Sequence, residues 1–138
     1  MNERTEELNA AITKAAGGSL PRRLDWRSPL ADDGYAEYFD ADFLERIDVE
    51  LPERSLESFW PQRGPHWDAL ARSSNRDAVL VEAKSHIPEI FSTPTQAKGE
   101  SLDRIQMSLT ETAEAFGATT SCDWSATFYQ YTNGLGHL

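Results

Sequence analysis

The stretch from Gly64 to Lys84, GPHWDALARSSNRDAVLVEAK, decides the predicted fold. Two short apolar runs flank a polar loop at Ser73–Asp77, a pattern that is typical of two antiparallel strands joined by a turn. With a loop of five residues, Arg72 pairs with Ala78, and the numbers of all paired residues sum to 150. The stretch therefore predicts a β-hairpin with a defined register.

The predicted register places two carboxylates at one end of the hairpin. Asp68 falls opposite Glu82, and because side chains alternate along a strand, Asp68, Glu82 and Lys84 share one face. The Cβ atoms of directly paired residues lie about 4.5–5.5 Å apart. Two carboxylates that close repel each other unless a cation lies between them or one is protonated. Because Mg²⁺ prefers carboxylate oxygen, the hairpin predicts a metal site, with Lys84 placed to hold a water or an anionic substrate oxygen.

This arrangement resembles the PD-(D/E)XK nuclease superfamily, whose members share the restriction-endonuclease-like fold. In that superfamily an acidic residue on one strand and a Glu-x-Lys on the next bind Mg²⁺ and activate water against a phosphodiester. Asp68 matches the first acid, Glu82 the second and Lys84 the lysine, although Trp67 rather than proline precedes Asp68. Further motifs resemble an uncharacterised bacterial family within the superfamily: Phe59-Trp60-Pro61, Gly64–Asp68, Val81–Lys84 and Tyr129–Asn133.

The resemblance implies a mixed α/β fold, with a small three-stranded sheet flanked by helices in the order α-β-β-β-α. A further core strand normally follows the last helix, and this chain is expected to lack it. An unpaired sheet edge invites pairing with another chain, so a homodimer is expected.

The resemblance also implies a function, the hydrolysis of phosphodiester bonds in nucleic acid, preferentially DNA, with Mg²⁺ or Mn²⁺ as cofactor. Asp68, Glu82 and the backbone carbonyl of Ala83 are the expected metal ligands, and Lys84 is expected to orient or deprotonate the attacking water. The weaker candidates are Glu57 as an additional metal ligand, and Gln130 and His86 as substrate contacts. Each of these three has a simpler interpretation, as a surface acid, a polar helix residue and a hydrogen-bonded residue at a strand end.

The composition indicates a single domain. The chain has 138 residues, a single cysteine at position 122 and no apolar run approaching the ~20 residues of a membrane helix. A lone cysteine excludes an internal disulfide and fits a reducing compartment, so we expect a cytoplasmic protein. We divide it into an N-terminal helix and extended arm, residues 1–34, and a nuclease-like core, residues 35–138.

The charge distribution favours an alternative function. The net charge is −10, and residues 32–59 hold ten acids against Arg46 and Arg54. Attraction to phosphates is a large part of nucleic-acid affinity, so this charge argues against a general nucleic-acid binder. The alternative is a non-catalytic protein with the nuclease fold, whose acidic segment binds a basic protein surface. An unrelated α/β protein with an accidental Glu-x-Lys is a third interpretation.

Hydrophobic periodicity predicts helices over residues 3–16, 35–47, 101–116 and 124–138. Ser101 is the expected N-cap of the third, and Gly117 suits the position after its end. The last helix should bury a stripe of Phe128, Tyr131, Leu135 and Leu138. Residues 55–60 fit either a helical turn or a first strand. Residues 19–34 are predicted to form an extended loop whose basic cluster, Arg22, Arg23 and Arg27, is either solvated or in contact with phosphate.

Overall fold

The structure, a computed structural model, describes residues 5–19, 23–118 and 122–138. The chain divides into two compact units. The sheet unit comprises Met1–Glu50 and His66–Glu82, and the helical unit comprises Leu51–Pro65 and Ala83–Leu138. Arg22 of the predicted basic cluster lies outside the described residues, as do residues 119–121 before the last predicted helix.

The described elements form a mixed α/β structure with a three-stranded antiparallel sheet, as predicted. In chain order they are α1 (Thr5–Ala15), β1 (Leu24–Ser28), a 3₁₀ turn (Ala31–Asp33), α2 (Asp40–Arg46), α3 (Leu56–Phe59), β2 (Ala69–Ser73), β3 (Ala78–Val81), a second 3₁₀ turn (Ile87–Ile90), α4 (Glu100–Ala115) and α5 (Tyr129–Leu135). The segment at residues 55–60 is therefore a helical turn, and Ser55 caps it by accepting a hydrogen bond from the Ser58 N–H at 3.3 Å.

The hairpin register predicted from the sequence is confirmed. β2 and β3 pair antiparallel from Ala69 opposite Val81 to Arg72 opposite Ala78. Inside the turn, the Ser73 hydroxyl donates to the Asp77 carboxylate at 2.6 Å and accepts from the Asp77 N–H at 3.0 Å. These bonds close the loop at the predicted length and so fix which residues face each other.

The prediction of an extended loop over residues 19–34 is wrong, because this segment contains β1. β1 pairs with β2 from Leu24 opposite Ser73 to Ser28 opposite Leu70, with a register shift between Trp26 and Ser28. Leu24 and Trp26 are buried, whereas Asp25 is exposed. The alternation is therefore that of a strand with one buried face, but it covers too few residues to stand out beside the neighbouring prolines.

Helix α1 covers one face of the sheet. Leu8 and Ile12 of this helix pack against a cluster formed by Leu24, Trp26, Ala69, Ala71 and Val79. Asn9 is also buried, and its Oδ1 accepts a hydrogen bond from the Trp26 indole N–H at 2.8 Å. A buried polar side chain needs such a partner, so this bond fixes the helix on β1.

The helical unit is built around Trp60. Trp60 packs with Ile105 and Leu109 of α4, and Tyr129 of α5 lies against the same cluster. The Ser108 hydroxyl donates to the Phe59 carbonyl, which ties α4 to the end of α3. Arg54 adds an ion pair to Glu111 of α4, with Nη1 2.7 Å from Oε2.

Three helix predictions need correction. The helix predicted over residues 35–47 is reduced to α2, since Tyr38 forms a β-bridge with Trp67 instead of a helical turn. α4 begins one residue earlier than predicted, with Gly99 rather than Ser101 at the N-cap. Gly117, with φ of 65°, follows the end of α4 as predicted.

The third correction concerns the last helix, α5, which buries a different face from the one predicted. Phe128, Tyr131 and Leu138 of the predicted stripe are 45%, 57% and 77% exposed. The buried residues are Thr132 and Asn133, and the Thr132 hydroxyl donates to the Trp124 carbonyl at 2.6 Å. Gly136 gives Trp60 room to approach, since a Cβ there would lie 3.4 Å from the indole ring. Polar and small residues therefore form the packed face.

No helix among the described residues is long and apolar enough to cross a bilayer.

The Asn9–Trp26 bond predicts a coupled loss of stability. Asn9→Leu leaves the indole N–H buried without its acceptor, and we expect the free energy of unfolding to fall by about 1–3 kcal/mol. Trp26→Phe removes the donor, so the double variant should lose less than the sum of the two single losses. Urea unfolding of the four proteins measures the coupling. Lys14→Leu, at an exposed position of α1, controls for adding leucine, and strictly additive losses would contradict the bond's role.

Candidate functional site

Asp68 and Glu82 lie at the open end of the hairpin. Asp68 immediately precedes β2 and is half-buried, and Glu82 immediately follows β3 and is exposed. The last pair of the ladder is Ala69 opposite Val81. Asp68 lies at a bend and Glu82 beyond the end of β3, so neither residue belongs to the ladder. The structure thus confirms the register as far as Ala69 and Val81, and the opposition of Asp68 and Glu82 one step further remains a prediction.

The prediction that Glu82 and Lys84 continue β3 is wrong, because the strand ends at Val81. The apolar run Val79–Val81 is complete there, and a polar segment follows. Glu82 is the last residue of the sheet unit, whereas Ala83 and the half-buried Lys84 belong to the helical unit. Strand alternation therefore does not fix the side of the hairpin on which Lys84 lies.

The backbone just before Asp68 is held by aromatic residues of the sheet unit. The Trp67 N–H donates to the Tyr38 carbonyl at 3.1 Å, which forms a β-bridge. The Trp67 side chain is 3% exposed and meets the Phe43 ring of α2 edge-on, with 5.9 Å between centroids. His66 stacks on Phe39 at 4.2 Å. Asp68 thus follows two residues whose positions are fixed by α2 and the segment before it.

An ionic network holds that segment in turn. The Tyr38 hydroxyl donates to the Asp33 carboxylate, which also lies 3.1 Å from Arg46 Nη2. Arg46 stacks over the Tyr38 ring at 5.1 Å, and its Nε donates to the Arg27 carbonyl of β1 at 2.7 Å. The network joins β1 and α2 to the strand segment that pairs with Trp67.

The metal predicted for the two carboxylates is Mg²⁺ or Mn²⁺. Among the described residues, no group of three or more His, Cys, Asp and Glu side chains is placed to hold a metal. Mg²⁺ keeps several waters and is commonly bound through one or two carboxylates. The expected donor set of Asp68 and Glu82 is of that smaller size, and its binding of a metal remains a prediction.

The other predicted site residues lie in the helical unit. Glu57 is exposed on α3, and its backbone carbonyl accepts from Arg104 Nη1 at 2.9 Å. Gln130 is exposed at the start of α5, and its N–H donates to the Ser92 hydroxyl at 2.9 Å. They remain candidates whose relation to Asp68 is a prediction.

The predicted substrate contact His86 pairs with Glu89, with 3.1 Å between Nδ1 and Oε1. Glu89 also accepts from the Ser85 hydroxyl at 2.7 Å and from the Ser85 N–H at 2.8 Å. These bonds hold the pKa of the Glu89 carboxyl below its usual value. His86 is thus hydrogen-bonded, as the simpler interpretation predicted, but it lies before the second 3₁₀ turn rather than at the end of β3. Its contact with substrate remains a prediction.

Sequence reasoning missed the residues that position Asp68. Tyr38 and Trp67 are far apart in the chain, and no local pattern indicates that they pair. Parity within the hairpin does not identify the buried residue either, because β2 is buried on both faces, at Ala69 and Ala71 as well as at Leu70.

No family model, curated protein or solved structure matches this chain. The family resemblance therefore rests on the residues quoted above.

The Tyr38–Asp33 bond predicts a loss of stability at high pH. The hydrogen bond to Asp33 raises the pKa of Tyr38 above its usual value of 10.0, and burial adds to the effect while Arg46 opposes it. A raised folded-state pKa contributes stability that is present below the unfolded-state pKa and is lost as pH rises through the folded-state value. Tyr38→Phe should therefore be less stable than wild type at pH 8, and the difference should shrink above pH 10.

Urea unfolding of both proteins between pH 7 and 11 measures this effect. Tyr35→Phe controls for the loss of an exposed tyrosine hydroxyl in the same unit. A stability difference between wild type and Tyr38→Phe that stays constant up to pH 11 would show that the Asp33 bond does not contribute.

Proposed function

We propose that this protein is a Mg²⁺-dependent phosphodiester hydrolase that acts on nucleic acid, preferentially DNA, through an Asp68…Glu82-x-Lys84 site. The observation that supports the proposal is the hairpin register, which would bring Asp68 opposite Glu82 if it continued one step beyond the last ladder pair. The three-stranded antiparallel sheet agrees with the sheet expected for a restriction-endonuclease-like core, and we propose that core as the fold.

Asp68 and Glu82 would hold Mg²⁺ or Mn²⁺, with the Ala83 carbonyl as a third oxygen and Glu57 as a further candidate. When bound, the metal supplies Lewis acidity and positive charge at the site of hydrolysis. The half-buried position of Asp68 next to the fixed Trp67 gives one ligand a defined place, which favours a preformed site.

Lys84 follows Glu82 by two residues and would orient the attacking water or a phosphate oxygen. A charged ammonium group offers three donors and no acceptor. We therefore assign Lys84 the orienting role rather than that of general base. Gln130 and His86 are the residues that we propose for contact with substrate.

A second candidate function is supported by the exposed acids of the sheet unit. Asp32, Glu37, Asp42, Glu45, Asp48 and Glu50 are all exposed. A surface of one sign steers a partner of the opposite sign, so a non-catalytic module that binds a basic protein is the alternative. Metal titration separates the two functions, since only the hydrolase requires a metal at Asp68 and Glu82.

Replacing Glu82 with glutamine tests the metal site. Glu82→Gln keeps the shape of the side chain but removes one of the two carboxylate charges that would hold the metal. Wild type should gain stability with Mn²⁺, by about 2.7 kcal/mol at a hundredfold excess over Kd, and Glu82→Gln should lose that gain. Thermal unfolding of each protein with and without Mn²⁺ measures the gain.

The matched control is Glu37→Gln, which removes an exposed acid of the same unit. It should keep the metal-induced rise in Tm. An equal rise in wild type, Glu82→Gln and Asp68→Asn would place any bound metal elsewhere and contradict the site.

Replacing Lys84 separates metal binding from catalysis. Lys84→Met removes the ammonium but neither carboxylate, so metal stabilisation should persist while cleavage falls. A lost charged hydrogen bond costs about 1.5–3 kcal/mol, which corresponds to a loss of roughly ten- to hundredfold in kcat/KM. The assay uses Mn²⁺ with single- and double-stranded DNA and RNA. Wild-type cleavage that Lys84→Met retains in full would remove Lys84 from the site.

A further inference from the structure

A second feature of the sheet unit lies at the opposite end of the hairpin from Asp68. A pocket of about 470 Å³ is lined there by four arginines and two aspartates: Arg23, Arg27, Arg72, Arg76, Asp25 and Asp48. Its formal charge is +2, in a chain whose net charge is −10. Four guanidinium groups around one cavity repel each other. A bound anion would offset this repulsion and so explain why they cluster in an acidic protein.

The two aspartates of the pocket are engaged by one arginine. Arg27 Nε lies 3.0 Å from Asp25 Oδ2, and Arg27 Nη2 lies 3.3 Å from Asp48 Oδ2. Arg72 faces Asp25 directly across β1 and β2, yet the Asp25 carboxylate pairs with Arg27. Within the described part of the chain, no carboxylate lies within ion-pair distance of Arg23, Arg72 or Arg76. Three guanidinium groups are therefore available to an anion.

The hairpin turn holds two of these arginines on a rigid frame. Arg72 ends the ladder with β3, and Arg76 lies within the turn that the Ser73–Asp77 hydrogen bonds close. The Arg76 N–H donates to the Ser73 carbonyl at 3.0 Å. Arg76 has φ of 69°, a conformation that favours glycine or asparagine. Arginine is less stable than glycine or asparagine in this conformation. A function of the Arg76 side chain would account for its presence there.

The pocket is separate from the two carboxylates. Arg72 is four residues from Asp68 on the same face of β2, a distance of about 13 Å at 3.3 Å per residue. Leu70 lies between them and is 0% exposed. A ligand in the pocket would therefore not reach Asp68 or Glu82, so the pocket is independent of the proposed hydrolase site.

We propose that this pocket binds a compact ligand that carries two or more phosphate groups. Arginine pairs with phosphate through two parallel hydrogen bonds, and three available guanidinium groups match more than one negative charge. The volume falls within the range of small-molecule sites, about 300–1,000 Å³. Anion binding would relieve the repulsion among the arginines. It would also explain why an arginine occupies position 76, where the positive φ disfavours it.

Inorganic pyrophosphate is the probe, titrated into the full chain by calorimetry at low ionic strength with EDTA, so that metal binding plays no part. We expect one saturable site whose affinity falls with added NaCl. Arg72→Gln and Arg76→Gly should each weaken binding by about tenfold or more, the value of a lost charged hydrogen bond. Lys14→Gln, which removes an exposed charge outside the pocket, should change the affinity less than twofold.

Arg76→Gly keeps the test independent of folding. Glycine suits the left-handed conformation at this position, so the unfolding midpoint should be unchanged or higher while pyrophosphate affinity falls. Amide chemical shifts on titration should move at Ser73 and Ser74 and not at Asp68 or Glu82.

Three results would overturn the proposal. The first is the absence of saturable binding at millimolar pyrophosphate, and the second is an equal loss of affinity in Lys14→Gln. The third is Arg72-dependent binding of a ten-residue thymidine oligonucleotide without binding of pyrophosphate, which would assign the pocket to a nucleic-acid backbone. EDTA removes free metal ions in all of these measurements. Each result can therefore be interpreted even if the protein is not a metal-dependent hydrolase.

Discussion

The antiparallel pairing of β2 with β3 is the constraint on which most of the chemistry of this protein depends. The Ser73–Asp77 hydrogen bonds fix the length of the turn, and the turn fixes every pair along the ladder. Asp68 and Glu82 then flank one end of the hairpin, and the other end presents two arginines. A slip of one residue would move each of these side chains to the opposite face. Turn closure thus governs both ends of the same hairpin.

The parts of the fold that could be predicted from sequence are those with strong local patterns. The hairpin has two apolar runs around a polar loop, and α1 and α4 have helical periodicity, so each shows within its own segment. β1 does not, because Leu24 and Trp26 are its only large apolar residues and its partner strand is remote in the chain. The packed face of α5 was missed for another reason. Its buried residues, Thr132 and Asn133, are polar, and the Thr132 hydroxyl donates to a backbone carbonyl, a contact that hydrophobicity cannot indicate.

The candidate site likewise has a part that the sequence predicts and a part that depends on tertiary contacts. The opposition of Asp68 and Glu82 is predicted from the hairpin register, which needs no tertiary information, but both residues lie just outside the strands. The positions of their surroundings do need it, since the Tyr38–Trp67 bridge and the Trp67–Phe43 contact join distant parts of the sequence. Lys84 shows the limit of the argument, because alternation carries a side-chain direction only as far as the strand extends. The arginine pocket could not be predicted from the hairpin alone, because Arg23, just before β1, and Arg27, within β1, complete its lining.

The topology of the sheet has a consequence for how the chain folds as it is synthesised. Four residues separate β2 from β3, whereas forty separate β1 from β2. The hairpin is a local structure of the kind that forms in about 1–10 μs. β1 is made first but cannot pair until the residues of β2 have left the ribosome, and the closure of a long loop slows such non-local pairing. Until then Trp26 has no sheet to pack in, and the first strand synthesised is the last to be completed.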